Sequence, residues 1–173
     1  MNHSVETKKL SLNQLTEDNR KGFSSLLQND DVIRYCFDPL SAKDIEDSFQ
    51  SRLADWSVNS EHWLCLAVNE KTTGNFVGTN GFRVNVKGST VEVGFLFLPE
   101  YQGKGYATES LKGVLEYARI LGFDAAIAHV TEGNSASCRV LEKCGFVVSR
   151  IDSCSVSINN LLHNNIVYEV SLD

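Results

Sequence analysis

The stretch Gln102-Gly103-Lys104-Gly105-Tyr106-Ala107 has the residue types a chain uses to hold an anion with its main chain. It separates a strand-like segment ending at Leu98-Pro99 from one whose apolar residues recur at helical spacing. A turn at such a junction leaves several backbone N–H groups without partners at the positive end of a helix dipole, where phosphates are attracted. Gly103 and Gly105 remove side chains that would hold a ligand off, and Ala107 is small where a ligand must pass the first helical turn. Several charge-assisted bonds of roughly 1.5–3 kcal/mol each suffice to anchor a diphosphate.

Taken alone, the two glycines also fit a tight strand-to-helix turn with no ligand. A Walker-type phosphate loop is excluded, because the required Gly-Lys-Ser/Thr does not follow, and a dinucleotide fingerprint lacks support, because the preceding strands read as antiparallel. The five cysteines (Cys36, Cys65, Cys138, Cys144, Cys154) are odd in number and scattered, without the close pairs of a zinc site, and read as free thiols. His62, His129 and His163 form no motif with one another, so no metal site is expected.

The elements that must position this turn follow from the pattern around it. Thr7–Leu12 reads as a first strand, and Thr16 as the cap of a helix reaching about Gln28, after which Asp30-Asp31 breaks the pattern. A second helix is predicted after Ser41, with Asp44 three residues on as in a capping box and Ile45, Phe49, Leu53 and Trp56 at helical spacing. The segments 62–68, 76–86 and 90–98 are β-branched and aromatic, and turn signals at 69–74 and 87–89 separate them into an antiparallel meander. From Gly105 the period changes: Ala107, Leu111, Val114, Leu115, Ala118 and Leu121 share one helical face, and Gly122 stops it. A strand at 125–130, a helix at 134–143 stopped by Gly145, and strands at 146–155 and 166–172 around an Asn-rich turn close the chain. The fold class is mixed α/β: a largely antiparallel central sheet of about seven strands with helices on both faces, one domain over residues 1–173.

Composition sets outer bounds. Hydrophobic residues make up 42% and charged residues 22%, ordinary globular usage, and the formal charge of −6 comes with no basic cluster, so no nucleic-acid partner is expected. The N-terminal residues lack the apolar core of a secretory signal and no apolar run approaches the ~20 residues of a membrane span, so a cytoplasmic location with no membrane partner is expected.

Two stretches, Val91 to Glu109 and Asn134 to Phe146, together resemble the GNAT (Gcn5-related) N-acetyltransferases, and within them the ribosomal-protein N-terminal acetyltransferase branch. Gln102, Gly105 and Ala107 fit that family's (Gln/Arg)-x-x-Gly-x-(Gly/Ala) turn, and Glu142-Lys143-Cys144-Gly145-Phe146 fits its Glu-Lys-x-Gly-Phe segment. Two motifs in the right order with a strand between them are more specific than either one, and the element order agrees over nearly the whole chain. The resemblance implies acetyl-CoA as co-substrate. Main-chain groups near Phe97 and Leu98 would meet its pantetheine, the turn opened by Gln102 would hold its pyrophosphate through the amides of Gly103, Lys104, Gly105, Tyr106 and Ala107, and Asn134 would lie near the thioester. Asn134 is also a favoured helix cap, and both roles are open to it. Lys104, Arg139 and Lys143 are further sources of positive charge. Relatives often pair through their last strands, which makes a homodimer an expectation here.

Amine acetylation needs a neutral nitrogen, and the departing thiolate needs a proton. At pH 7 an α-amino group with a pKa near ~7.8 loses its proton for about 1 kcal/mol, against roughly 4.6 for a lysine near ~10.4. By the resemblance Glu92 is the candidate base, acting through water; on a strand it faces away from Val91 and Val93, and an ion-paired surface role is its plain alternative. Where many family members carry a tyrosine that protonates the thiolate, this chain has Leu141; Ser137, one turn earlier, is the candidate acid and Cys138 a weaker one. The expected activity is transfer from acetyl-CoA to a primary amine, foremost a protein or peptide N-terminal α-amine. The alternatives are a small-molecule amine acceptor or a non-catalytic acyl-CoA-binding module.

Overall fold

The computed structural model describes residues 3–85 and 88–173. One sheet organises them. Its strands are β1 (Ser4–Glu6), β2 (Leu10–Gln14), β3 (Leu64–Glu70), β4 (Phe76–Val84), β5 (Thr90–Phe97), β6 (Ala125–Thr131), β7 (Val147–Ile158) and β8 (Leu161–Ser171), in the spatial order β1-β2-β3-β4-β5-β6-β8-β7. The helices are α1 (Arg20–Leu27), α2 (Asp30–Ile33), α3 (Ala42–Leu53), α4 (Tyr106–Ile120) and α5 (Ser135–Lys143).

Side-chain alternation on β3 shows why helices cover both faces. Leu64, Leu66 and Val68 pack with Leu111, Val114 and Ala118 of α4, whereas Cys65 and Ala67 pack with Phe23 and Leu27 of α1 and Ile45 and Phe49 of α3. A strand covered on both sides reads as one apolar run, and Leu64 to Val68 are all buried.

Several expectations change. The sheet has eight strands, because predicted strand 7–12 divides into a turn at Thr7–Lys9 and strand β2, with β1 before it. Ser-Val-Glu carries one buried apolar residue, too little pattern to read from sequence. Gly113 makes room for that strand: a Cβ there would lie 2.9 Å from Val5, so α4 docks close because it has none. Asn29 caps the single-turn helix α2, its side chain accepting from the N–H groups of Asp31 and Val32, where a break was expected. Trp56 lies beyond α3 and is buried on the α4 side, its indole N–H bonded to the His62 carbonyl. The last hairpin is longer than predicted because Asn159 and Asn160 both take left-handed φ, 51° and 61°, the geometry of a two-residue turn. Val86 and Lys87, the predicted end of one strand and start of the next turn, lie outside the described residues.

The feature that makes room for a site is the single parallel pair. β5 and β6 match only over Thr90↔Ala125, Val91↔Ala126 and Glu92↔Ile127; beyond that β5 stays on β4 to Phe97 and β6 stays on β8 to Thr131. The sheet therefore splits between residues 93–97 and 128–131, and strand edges that would otherwise bond each other face a gap.

Candidate active site

The glycine turn forms as its sequence dictates. A 3-10 turn at Pro99–Tyr101 ends β5, Gly103 and Gly105 take φ of 74° and 82°, and Gly105 caps α4. Glycine, having no Cβ, enters that left-handed region without the strain most side chains meet there. Among the described residues, the N–H groups of Gly103, Lys104, Gly105, Tyr106, Ala107 and Thr108 have no intramolecular acceptor; the first bond of the helix runs from Glu109 to the Gly105 carbonyl. Of the residues Gly103 to Thr108, all but Lys104 line a groove of about 360 Å³ that continues along Phe95, Leu96 and Phe97 on one side and Gly133 to Ser137 of the α5 entry on the other. Arg34, Arg139 and Lys143 also line it, against the single carboxylate of Asp31. This is the donor set and charge balance a diphosphate requires.

Each residue named from sequence has a definite place. Gln102 folds back, its side-chain amide donating to the Phe97 carbonyl at 3.0 Å, and so fixes the strand end to the turn. Leu98 spends its N–H on the Val77 carbonyl and lies outside the groove lining; Phe97 is in it. Antiparallel alternation then turns the main-chain groups of Phe95 and Phe97, not those of Leu98, toward the split. Lys104 is exposed, its ammonium 5.0 Å from the Tyr101 ring centre, and only its amide belongs to the cradle. The Tyr106 hydroxyl donates to Glu70, which raises the phenol's pKa and lowers that of the carboxyl. Glu109 faces away from the groove and binds the Lys9 N–H and the Thr7 hydroxyl, at 2.6 and 2.7 Å. Asn134 caps α5, accepting from the Ser137 N–H at 3.2 Å, and also lines the groove.

A second cavity, about 670 Å³, lies on the α1/α3 side of the sheet. Its walls are mostly apolar, among them Phe23, Leu27, Phe37, Leu40 and Trp63. Glu92 lines it and is ion-paired with Arg83 across the β4–β5 ladder, 2.7 Å from oxygen to nitrogen, with a side chain 18% exposed. The Arg83 guanidinium rests 5.5 Å from the Trp63 ring centre. The ion-paired and cavity-facing readings of Glu92 therefore hold together.

The groove and the cavity share Tyr35, Cys36, Phe95, Leu96, Asn134 and Ser137. They are two arms meeting at the split in the sheet. Ser137 stands at the meeting point, and Leu141, 1% exposed, closes the cavity one turn below it. Tyr35 and Arg34 are new: they fall where the sequence pattern breaks, and nothing in their spacing marks them. Arg83 was findable, since the turn signal read at Lys87-Gly88-Ser89 leads to a hairpin that sets residue 83 close to residue 92, its partner in the ladder. A tyrosine does approach α5, but from β8. The Tyr168 hydroxyl lies 3.4 Å from Glu142 and lines neither space, and burial together with Cys138 and Glu142 raises its pKa.

The cysteines offer no nucleophile beside a base. The Cys36 and Cys144 thiols point at main-chain carbonyls of Val32 and Thr108, and burial pushes Cys65 up to about 11. Among the described residues no cluster of His, Cys, Asp or Glu is placed to hold a metal, and no helix is long and apolar enough to cross a membrane.

With this geometry in place, comparison with known proteins is specific. An acetyltransferase (GNAT) domain matches residues 9–147. An uncharacterized N-acetyltransferase of Bacillus subtilis, YoaA, is 28% identical over 145 residues, 82% of this chain and 81% of its own. An acetyltransferase of the GNAT family from Bacillus anthracis superposes with a TM-score of 0.84 at 20% identity, over 98% of this chain and 99% of that one. A Vibrio cholerae spermidine N-acetyltransferase, solved with CoA and spermine, superposes at 0.82 and 21% identity, over 95% and 96%. A glycine turn with unpartnered main-chain amides, a split sheet and a GNAT domain match spanning most of the sequence lead to one statement: this chain belongs to the GNAT family of acetyl-CoA-dependent N-acetyltransferases.

Proposed function

We propose that the chain acetylates an α-amine, with the acyl donor in the groove over Gly103–Thr108 and the acceptor in the cavity behind Glu92. The observation that carries this reading is the junction, where six residues border both spaces. When bound, acetyl-CoA supplies an activated thioester. The chain's residues do the rest. The main-chain groups of Phe95 and the N–H of Phe97 orient the pantetheine arm, and the six unpartnered amides with Arg34, Arg139 and Lys143 hold the phosphates. Glu92 takes the acceptor's proton through water, with Arg83 holding the carboxylate in place. Ser137 delivers a proton to the departing sulfur, in the role left open by Leu141. The apolar lining excludes bulk water from the junction and strengthens each of these interactions.

An α-amine suits this site because it loses its proton for about 1 kcal/mol at pH 7, within the reach of one carboxylate already paired with an arginine. A polyamine suits it less. Among the described residues Glu92 is the only carboxylate lining the cavity, and its charge is matched by Arg83. Both an N-terminal residue of a peptide and a free amino compound present the required amine. Val147, Val148, Ile151, Leu161 and Leu162 are exposed on the β7–β8 hairpin, which supports pairing of two copies through that face. The reading is tested by free-thiol release from acetyl-CoA across peptides with varied first residues, lysine peptides, spermidine and amino acids. Turnover of α-amines above the others is the expected result; release with spermidine or lysine peptides alone would overturn it.

A further inference from the structure

The acceptor cavity contains a cation that its surroundings do not explain. Arg52 sits in the last turn of α3, seven residues after Ile45 and three after Phe49, and so on the helix's inward side. It lines the cavity with Phe23, Ser48, Cys65 and Thr79. One terminal nitrogen, Nη1, donates to the Ser48 carbonyl and hydroxyl at 2.9 and 2.6 Å, and the guanidinium carbon lies 5.6 Å from the Phe23 ring centre. Arg20, Arg83, Arg119 and Arg150 each reach a carboxylate; among the described residues Arg34, Arg52 and Arg139 reach none, and of these three Arg52 alone lines this cavity. The neighbouring Cys65 thiol stays protonated and supplies no counter-charge.

A guanidinium presents five N–H donors in a fork that matches a carboxylate, and holding it half-buried beside an apolar wall without an anion is costly. The inner face of an amphipathic helix would ordinarily carry a leucine at such a position. Ser48, which already bonds Arg52, and Thr79, 6% exposed on β4, add two hydroxyls at the same place.

We infer that Arg52, with Ser48 and Thr79, is an anion subsite that reads a carboxylate on the acceptor, so that the substrate is an α-amine attached to an apolar body and carrying a negative charge. Glu92 takes the amine and Arg52 the acid, at separate points of one cavity. This rests on the acceptor reading above. Two sources supply that chemistry: the α-carboxylate of a free amino acid, or an acidic side chain on the first residue of a peptide.

The test uses product-like probes, which need no turnover. Binding of N-acetyl-L-leucine, of N-acetyl-L-leucinamide and of N-acetyl-L-aspartic acid α-amide is measured by calorimetry on the protein saturated with CoA. At least one of the two acids is expected to bind about tenfold or more tighter than the leucinamide. Tighter N-acetyl-leucine assigns the free amino acid, and tighter aspartic acid α-amide assigns the acidic first residue. Arg52→Met should remove the preference while thermal unfolding stays cooperative, and Arg52→Lys should keep part of it. Equal binding of acids and amide, no binding of either acid, or a preference that survives in a folded Arg52→Met chain would each overturn the subsite. Arg52-dependent acid binding without thiol release from any amine would leave the subsite standing and overturn acetyl transfer to an α-amine.

Discussion

The groove over the glycine turn and the cavity behind Glu92 meet at six shared residues yet are made of different material. The cradle of the groove consists of the main-chain amides of six consecutive residues, Gly103 to Thr108, and needs only that two glycines take left-handed φ and that a helix starts behind them. The cavity is built from residues of α1, α3, α5, β3, β4, β5, β6, β7 and β8 and of the loop after α2, brought together from residue 23 to residue 165. A main-chain site tolerates wide change elsewhere in the sequence, because every residue supplies an amide. A side-chain site changes its preference with each substitution. On the proposed reading, donor binding and acceptor choice fall to separate parts of the same fold.

Four changes would break or sharpen that division. Gly105→Glu places a Cβ at φ 82° and a carboxylate in the cradle; losing two charge-assisted bonds of roughly 1.5–3 kcal/mol each predicts a fall in CoA affinity of about a hundredfold or more by calorimetry. Unchanged affinity would put the phosphates elsewhere. Glu92→Gln should leave CoA affinity intact and lower kcat/KM for the amine by about a hundredfold, the usual scale for a general base. A similar loss of CoA affinity would show that the two arms are not separable. Ser137→Ala should cost about tenfold in kcat with little change in KM, well below the loss at Glu92, because water can carry a proton to sulfur; a loss equal to that of Glu92→Gln would give Ser137 the larger part in proton transfer.

The smallest effect concerns stability and pH. The Tyr106 hydroxyl holds the Glu70 carboxyl below its ordinary pKa, so the folded chain binds that proton less readily than the unfolded one. This contribution is present above the unfolded value and disappears as pH falls through the lower, folded one. Tyr106→Phe should therefore make the fall in Tm on acidification shallower while leaving the cradle's amides in place; an unchanged acid limb would remove the link.

What was legible follows the same division. The capping box of α3 at Ser41 and Asp44 is local chemistry, and it forms as read. The switch of period after Gly105 and the stop at Gly122 also lie within one or two turns of the residues that cause them. Glu92's orientation away from Val91 and Val93 followed from strand alternation alone. Single-turn α2 and three-residue β1 were not legible, because neither has enough buried apolar residues to stand above background.

The sequence by itself determined the longer elements, the glycine turn and the proton-handling candidate on β5, since each depends on torsion preferences and side-chain periods within a few residues. Only the tertiary structure decided that β5 and β6 part after Glu92, that Tyr35 reaches the junction, and that Arg52 faces the cavity with no carboxylate in reach among the described residues. Those facts depend on which distant segments share a surface, and a period along the chain holds no information about what lies across the gap.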